Sequence, residues 1–439
     1  MTRPRLLLAG AAALVAAAAA ALGGVLAGEP AAQSDSRDRT VETSGRLVQG
    51  FSAGDTAALV ERLLARVEAD PGDAEGLTLL GLAYQQRARE TADPAYYPRA
   101  EEALRRAVSL RDDDYLTFTG LAALAASRHG FADARRLAER AIRLNPASAE
   151  APGILGDALV ELGRYREAFA AFERMASLKP GLAAYARISY ARELLGRPGA
   201  AVRAMNLAVR AGAGNAENAA WTLVQLGNLR FDTGRLLPAE RAYREALARD
   251  PGFVRAQAGL ARVHAARGRW DEAVALYRKA LDAVPLPEYA VGLAETLAAV
   301  GRDREARDAY RLVAVIQRVF AANGVRTDLE TALVDLDRGR DVRGALARAR
   351  KAYGERRSIE AEDVLAWALL RNGACEAARR HSGRALRLGT QDALKLFHRA
   401  AIEECLGRPA AARAFAARAL AANPHFSLRH ADAARELAR

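Results

Sequence analysis

At 439 residues the chain has the length of two or three globular domains, and its Ala-rich helical patterns, scarce strand-forming runs and only 15 prolines argue against a β-rich fold. The formal charge of +12 raises the question of a polyanion partner. Only four of the 65 basic residues are lysines, however, and the arginines sit beside acids at helical spacing, as in Arg135, Arg136 and Glu139, the pattern of a solvated, salt-bridged face.

Arg3 and Arg5 precede an uncharged run from Leu6 to Gly28, long enough to cross a bilayer as a helix and also shaped like a secretory signal, with Val25-Leu26-Ala27 as an exit. Residues 1–28 are therefore expected to be a signal peptide or a retained N-terminal anchor, with residues 6–28 as the tether. The positive-inside rule then places the remainder outside the cytoplasm, secreted or held at the cell membrane. Residues 29–52 are polar and irregular, a flexible linker. Within 53–73, Leu59, Leu63, Leu64 and Val67 mark an amphipathic entry helix.

From Ala74 onward the chain repeats. Gly163, Gly196, Gly234, Gly268, Gly301, Gly339, Gly373 and Gly407 are spaced 33, 38, 34, 33, 38, 34 and 34 residues apart, and Arg follows all but Gly373. Each glycine is expected to end a first helix in the left-handed conformation, while prolines such as Pro146, Pro180, Pro251 and Pro285 close the second helices. Leu80-Gly81-x-x-Tyr84 with the later Ala100-x-x-x-Leu104 fits the pattern L-G-x-x-Y…A-x-x-x-F, and Leu155, Gly156, Leu159, Ala168 and Phe172 repeat its core. On these residues the chain resembles the tetratricopeptide repeat family. The resemblance implies an all-α fold in which helix–turn–helix repeats stack into a right-handed superhelical solenoid. About ten repeats would fill 74–424, with a capping helix at 425–439. Asn323, Gly324 and Gly344 are expected to disturb one unit, and Ser189 and Met205 stand where another would carry a small apolar and an aromatic residue.

Signals for chemistry are weak. Gly50-Phe51-Ser52-Ala53-Gly54 matches a nucleophile elbow without the strand that motif needs. Asp335, Asp337, Gly339 and Asp341 have the spacing of a calcium loop but fall on the glycine ladder, and no Glu completes the loop. His381, His398, His425 and His430 crowd the last sixty residues without a zinc-type spacing, so they read as structural and no metal is expected. Cys375 and Cys405 should approach one edge of the array. They read as two separate buried thiols, with a disulfide as the alternative if their Cα atoms come within about 7 Å. Repeats occupy the chain from Ala74 to the tail, leaving no room for a catalytic domain. No catalytic residue, cofactor or small-molecule substrate is expected.

In the family, first helices line a concave face. Carried over by position, the partner-binding residues would be Asp157, Tyr190, Trp221, Asn228, Phe231, Arg262, Glu295, Trp367 and Phe397. That surface is aromatic and mildly acidic and would suit an extended apolar or basic peptide. The leading expectation is a non-catalytic protein-interaction scaffold with a protein or peptide partner. The alternative is a binder of anionic polymer, a cell-envelope polyanion or, less favoured, nucleic acid, through an Arg-rich convex face.

Overall fold

The computed structural model describes residues 56–439. The expected signal or anchor, the linker and the Gly50–Gly54 motif lie outside the described residues. Every regular element among those described is a helix. Helix α1 (Thr56–Ala69) lays Leu59, Leu63 and Val67 onto the first of ten antiparallel pairs. These are α2 (Ala74–Thr91) with α3 (Tyr96–Leu110), α4 (Tyr115–Ser127) with α5 (Phe131–Leu144), α6 (Glu150–Glu161) with α7 (Tyr165–Leu178), α8 (Leu182–Leu194) with α9 (Pro198–Gly212), and α10 (Ala216–Asp232) with α11 (Leu236–Arg249). They continue as α12 (Val254–Ala266) with α13 (Trp270–Ala283), α14 (Pro287–Ala299) with α15 (Asp303–Ala322), α16 (Asp328–Arg338) with α17 (Val342–Glu355), α18 (Ile359–Arg371) with α19 (Cys375–Ala385), and α20 (Ala393–Cys405) with α21 (Pro409–Ala422). Short α22 (Ala431–Leu437) packs on the last pair. The molecule is an α-solenoid.

Small residues in the first helices let the pairs close. Gly156 lies so near Phe172 that a Cβ there would stand 2.3 Å from the ring, and Cβ atoms on Gly227 and Gly259 would each reach within 2.5 Å of Tyr243. Tyr243 of α11 is thus gripped by a glycine from its own pair and one from the next. All eight ladder glycines have positive φ, between 65° and 79°, because the chain must reverse within three or four residues. His129, 34 residues before Gly163, occupies the same slot with φ 58°. It is a ladder position hidden by the absence of glycine. Ser189, in place of a small apolar residue, keeps the close approach by donating its hydroxyl to the Ala201 carbonyl at 2.8 Å. Asn323-Gly324 does not break a helix; it ends α15, which runs for 20 residues.

The array turns back on itself. His129 donates from Nδ1 to the Arg326 carbonyl (2.7 Å), the Ile359 amide donates to the Tyr165 hydroxyl (2.7 Å), and Asn423 Nδ2 donates to the Phe231 carbonyl (2.9 Å). These partners are 197, 194 and 192 residues apart. At about 34 residues per pair, one superhelical turn therefore takes between five and six pairs, and the second turn rests on the first. The ladder takes part in this seam. A Cβ on Gly163 would stand 2.4 Å from the Arg357 carbonyl oxygen, and one on Gly196 would stand 2.0 Å from that of Gly389. Around Gly301, Gly373 and Gly407 nothing lies within 4 Å. One residue type thus serves two ends, chain reversal everywhere and close approach of turns in the first part of the array.

Candidate functional site

Contact between turns frames a partly open cavity of about 1230 Å³. Its wall combines C-terminal halves of first helices in the first turn with N-terminal ends of first helices in the second, together with parts of second helices and loops. Tyr190 and Glu193 come from α8, Phe231 and Asp232 from α10, Arg262 from α12, and Glu295 from α14. The second turn adds Glu330, Ile359, Glu360, Asp392 and Lys395.

Four of the nine residues expected on a concave face line this cavity: Tyr190, Phe231, Arg262 and Glu295. The other five are structural. Asp157 makes a buried ion pair with Arg187 at 2.6 Å. Asn228 accepts a hydrogen bond from the Tyr243 hydroxyl at 2.7 Å, orienting the ring gripped by glycines. Trp221, partly buried, packs against the core cluster that includes Ala186, Met205 and Leu226. Trp367 and Phe397 are core residues, 4% and 3% exposed. Trp367 and Phe397 are covered by neighbouring helices and the cap, whereas Asp157, Trp221 and Asn228 are partly buried and lie outside the cavity lining.

Charge inside the cavity is unevenly balanced. Arg262 lies over the Phe231 ring, 3.9 Å from its centroid, and pairs with Asp232 at 2.6 Å. Lys395, 2% exposed, bridges Glu360 and Asp392, each at 2.6 Å. Burial opposes its charge, but Asp392 and Glu360 outweigh that and hold Lys395 well above its ordinary pKa. Glu193 is different. Burial, reinforced by Asp232 and Asp392 and only opposed by Lys395, pushes its carboxyl up to about 8. Burial likewise raises Glu288, with Arg255 opposing. Sequence reading missed Glu193, although it stands one turn past Tyr190 on the same helix. It also missed Glu360 and Lys395, which reach the cavity only because the second turn closes over the first.

Other sequence signals resolve locally. Asp335 and Asp341 both pair with Arg348, at 2.6 and 3.0 Å, while Asp337 points into the core toward Trp367, so the three carboxylates do not converge as a calcium loop would require. His381 pairs with Glu362 at 2.7 Å. Cys375 and Cys405 form a disulfide with Cα atoms 6.1 Å apart. The expectation of separate buried thiols is corrected: the bond sits at the exposed edge between α19 and α20, outside the core. Some arginines on the outer helices pair with acids, as in Arg105 with Glu101 and Arg278 with Glu305. No helix among the described residues is long and apolar enough to cross a membrane.

Stacked antiparallel helix pairs, reversed at left-handed glycines and enclosing an inner groove, define an α-solenoid of interaction-repeat type. The tetratricopeptide repeat family profile matches residues 120–183 and 224–286, so these stretches carry tetratricopeptide repeats. Such repeats generally mediate protein–protein interaction. Among solved structures, MamA is 23% identical over 37% of this chain and 92% of its own (TM-score 0.29). YrrB, described as a tetratricopeptide repeat protein with an unusual peptide-binding site, is 21% identical over 44% and 96% (TM-score 0.29). Yeast Tom70 is 15% identical over 81% and 86% (TM-score 0.41). No curated protein matches the chain.

Proposed function

We propose that this chain is a non-catalytic interaction scaffold whose central cavity takes an extended peptide bearing a basic side chain flanked by apolar ones. One observation carries the reading. Glu193 is a carboxyl held at about 8 by burial and neighbouring acids, on a wall shared with Tyr190 and Phe231. A guanidinium or ammonium group seated there would relieve the repulsion among Glu193, Asp232 and Asp392 and form a charge-assisted hydrogen bond. The aromatic and aliphatic wall would take the flanking residues.

The scaffold is proposed to act outside the cytoplasm, tethered or released at residues 6–28. The exposed Cys375–Cys405 disulfide supports an oxidising compartment.

The test is fluorescence anisotropy with labelled extended peptides that hold one Arg, Lys, Gln or Glu between apolar residues. Arg and Lys peptides should bind, and Glu193→Gln should weaken them about tenfold, the worth of one charge-assisted contact. Binding of the Lys peptide should tighten as pH rises through about 8, because the carboxylate is the form that pairs. Equal binding of the Glu and Lys peptides would remove the acidic cavity as the recognition element. A steep fall in all affinities with salt, indifferent to Glu193, would point instead to a polyanion site.

A further inference from the structure

Sequence spacing gave the C-terminal histidines no metal role, yet the fold brings two of them to one carboxylate. Asp337 lies at the end of α16, His398 in the middle of α20, and His430 immediately before α22. Among the described residues, these three offer ligand atoms that all lie within 4.8 Å of one another. Each is at most 1% exposed. His430 Nε2 stands 3.5 Å from Asp337 Oδ1, a long contact that makes at best a weak hydrogen bond. Asp337 Oδ2, His398 Nε2 and His430 Nε2 all lack a hydrogen-bond partner. Three buried polar atoms left unsatisfied at one point would be costly for a polypeptide alone, each by about 1–3 kcal/mol. Coordination by a shared cation removes that cost for all three.

The surroundings hold these groups in the orientation a metal needs. His398 Nδ1 donates to Asp363 Oδ2 at 2.9 Å, which fixes the tautomer and directs the Nε2 lone pair toward Asp337 and His430. A carboxylate behind a ligating imidazole is the usual outer support of a metal-bound histidine. The Trp367 indole N–H donates to Asp337 Oδ1 at 2.7 Å and fixes that carboxylate, whose Oδ2 has no hydrogen-bond partner. The Trp367 ring stacks on His398, with centroids 4.2 Å apart, and Phe397 stacks on His430 at 4.7 Å. Two arginines oppose a cation. Arg429 donates to the Asp337 carbonyl at 2.9 Å, and Arg371 lies over the Trp367 ring. Asp337 and Asp363 offset them. Two imidazoles and a single coordinating carboxylate disfavour calcium and magnesium, which require several oxygen ligands, and suit zinc or a neighbouring divalent transition metal.

We propose that Asp337, His398 and His430 form a structural site for a divalent transition metal, zinc by preference, which fastens the C-terminal cap to the eighth and tenth helix pairs. Because the three ligands come from separate helical elements, metal binding and docking of the cap are one equilibrium.

The full chain, stripped with a chelator and dialysed, is titrated with Zn2+ by calorimetry and with Co2+ by visible absorption, alongside thermal melts. One equivalent of Zn2+ should bind, Co2+ should give the d–d bands of a low-coordinate N/O site, and Zn2+ should raise the melting temperature. His398→Gln combined with Asp337→Asn, which leaves an amide oxygen for Trp367, should lose binding by at least about a hundredfold. Asp363→Asn, which alters only the support of His398, should weaken it by about 10–100-fold. Circular dichroism establishes that each variant is helical. Should a variant unfold, the wild-type Co2+ spectrum and melting shift decide alone. The proposal is overturned by a folded wild type that shows neither a Co2+ spectrum nor a Zn2+-dependent melting shift, or by a double variant that binds Zn2+ as tightly as wild type. The cavity peptide assay is independent of this site, so failure of one reading leaves the other intact.

Discussion

Tyr243 shows how much of this architecture rests on atoms that are missing. Its ring fits only because Gly227 and Gly259 carry no Cβ. In an open helix interior, Gly→Ala stabilises by up to about 1 kcal/mol. Here the sign should reverse, since the added methyl overlaps a fully buried ring, and overpacking of this kind costs about 1–3 kcal/mol. Urea denaturation of Gly227→Ala, with Gly383→Ala as the control, checks this. Gly383 meets only the Arg399 guanidinium, at 3.6 Å. A Gly227→Ala protein at least as stable as the control would disprove the clamp. Glu161 offers a second residue-scale prediction. Burial is the main cause of its rise to about 7; Glu360 and Glu330 add to it, while Arg356 at 3.7 Å opposes. A folded-state pKa above the ordinary value of 4.5 means that the native state binds the proton more tightly. That stabilisation is complete below about pH 4.5 and is lost as pH rises through about 7, amounting to roughly 3 kcal/mol. Glu161→Gln should therefore lose less stability than wild type between about pH 5 and about pH 8. If both proteins show the same decline in urea midpoint, Glu161 is not its source.

The helix pair is the scale at which the chain was easiest to read. Its boundaries follow from a period near 34 marked by glycine and proline, because chain reversal and helix termination are local events with local residue preferences. His129 escaped notice for the same reason: the conformation is there but the residue that announces it is not. Five of the nine residues expected on the concave face lie outside the cavity lining, because position on a first helix says which element a side chain belongs to, and says nothing of what covers that element. The metal-ligand cluster was invisible for a related reason. Its members are 32, 61 and 93 residues apart and meet only through stacking. The disulfide acts at this scale as well, joining α19 of one pair to α20 of the next. Closing a loop of about 30 residues stabilises by up to about 3–4 kcal/mol in the chain-entropy view. Reduction should expose the last two pairs to hydrogen exchange most, α6 and α7, which meet them through Tyr165 and Ile359, next, and α2 and α3 least. Uniform loss of protection along the chain would contradict this assignment.

At the scale of the whole molecule the decisive feature is the seam between turns. Gly196 sits against the Gly389 carbonyl and Gly301 faces open space, yet both are left-handed. Asparagine tolerates that backbone conformation, so Gly301→Asn should leave the radius of gyration unchanged. Gly196→Asn should increase it with helix content intact, as the second turn is lifted off the first. Small-angle scattering with circular dichroism on both variants reads this directly; equal radii would mean that the seam does not hold the turns together.

A solenoid of repeats is ordinarily a modular object. Units contact only their neighbours, stability is a sum along a line, and one unit can be removed with little consequence beyond the lost interface. Pairing Tyr165 with Ile359 and Phe231 with Asn423 abolishes that freedom. Deleting a single unit between them would carry every later loop past its mate, so the whole seam would go out of phase at once. Repeat number thus becomes a quantity that the fold itself counts, and the array unfolds as a body with a fixed circumference.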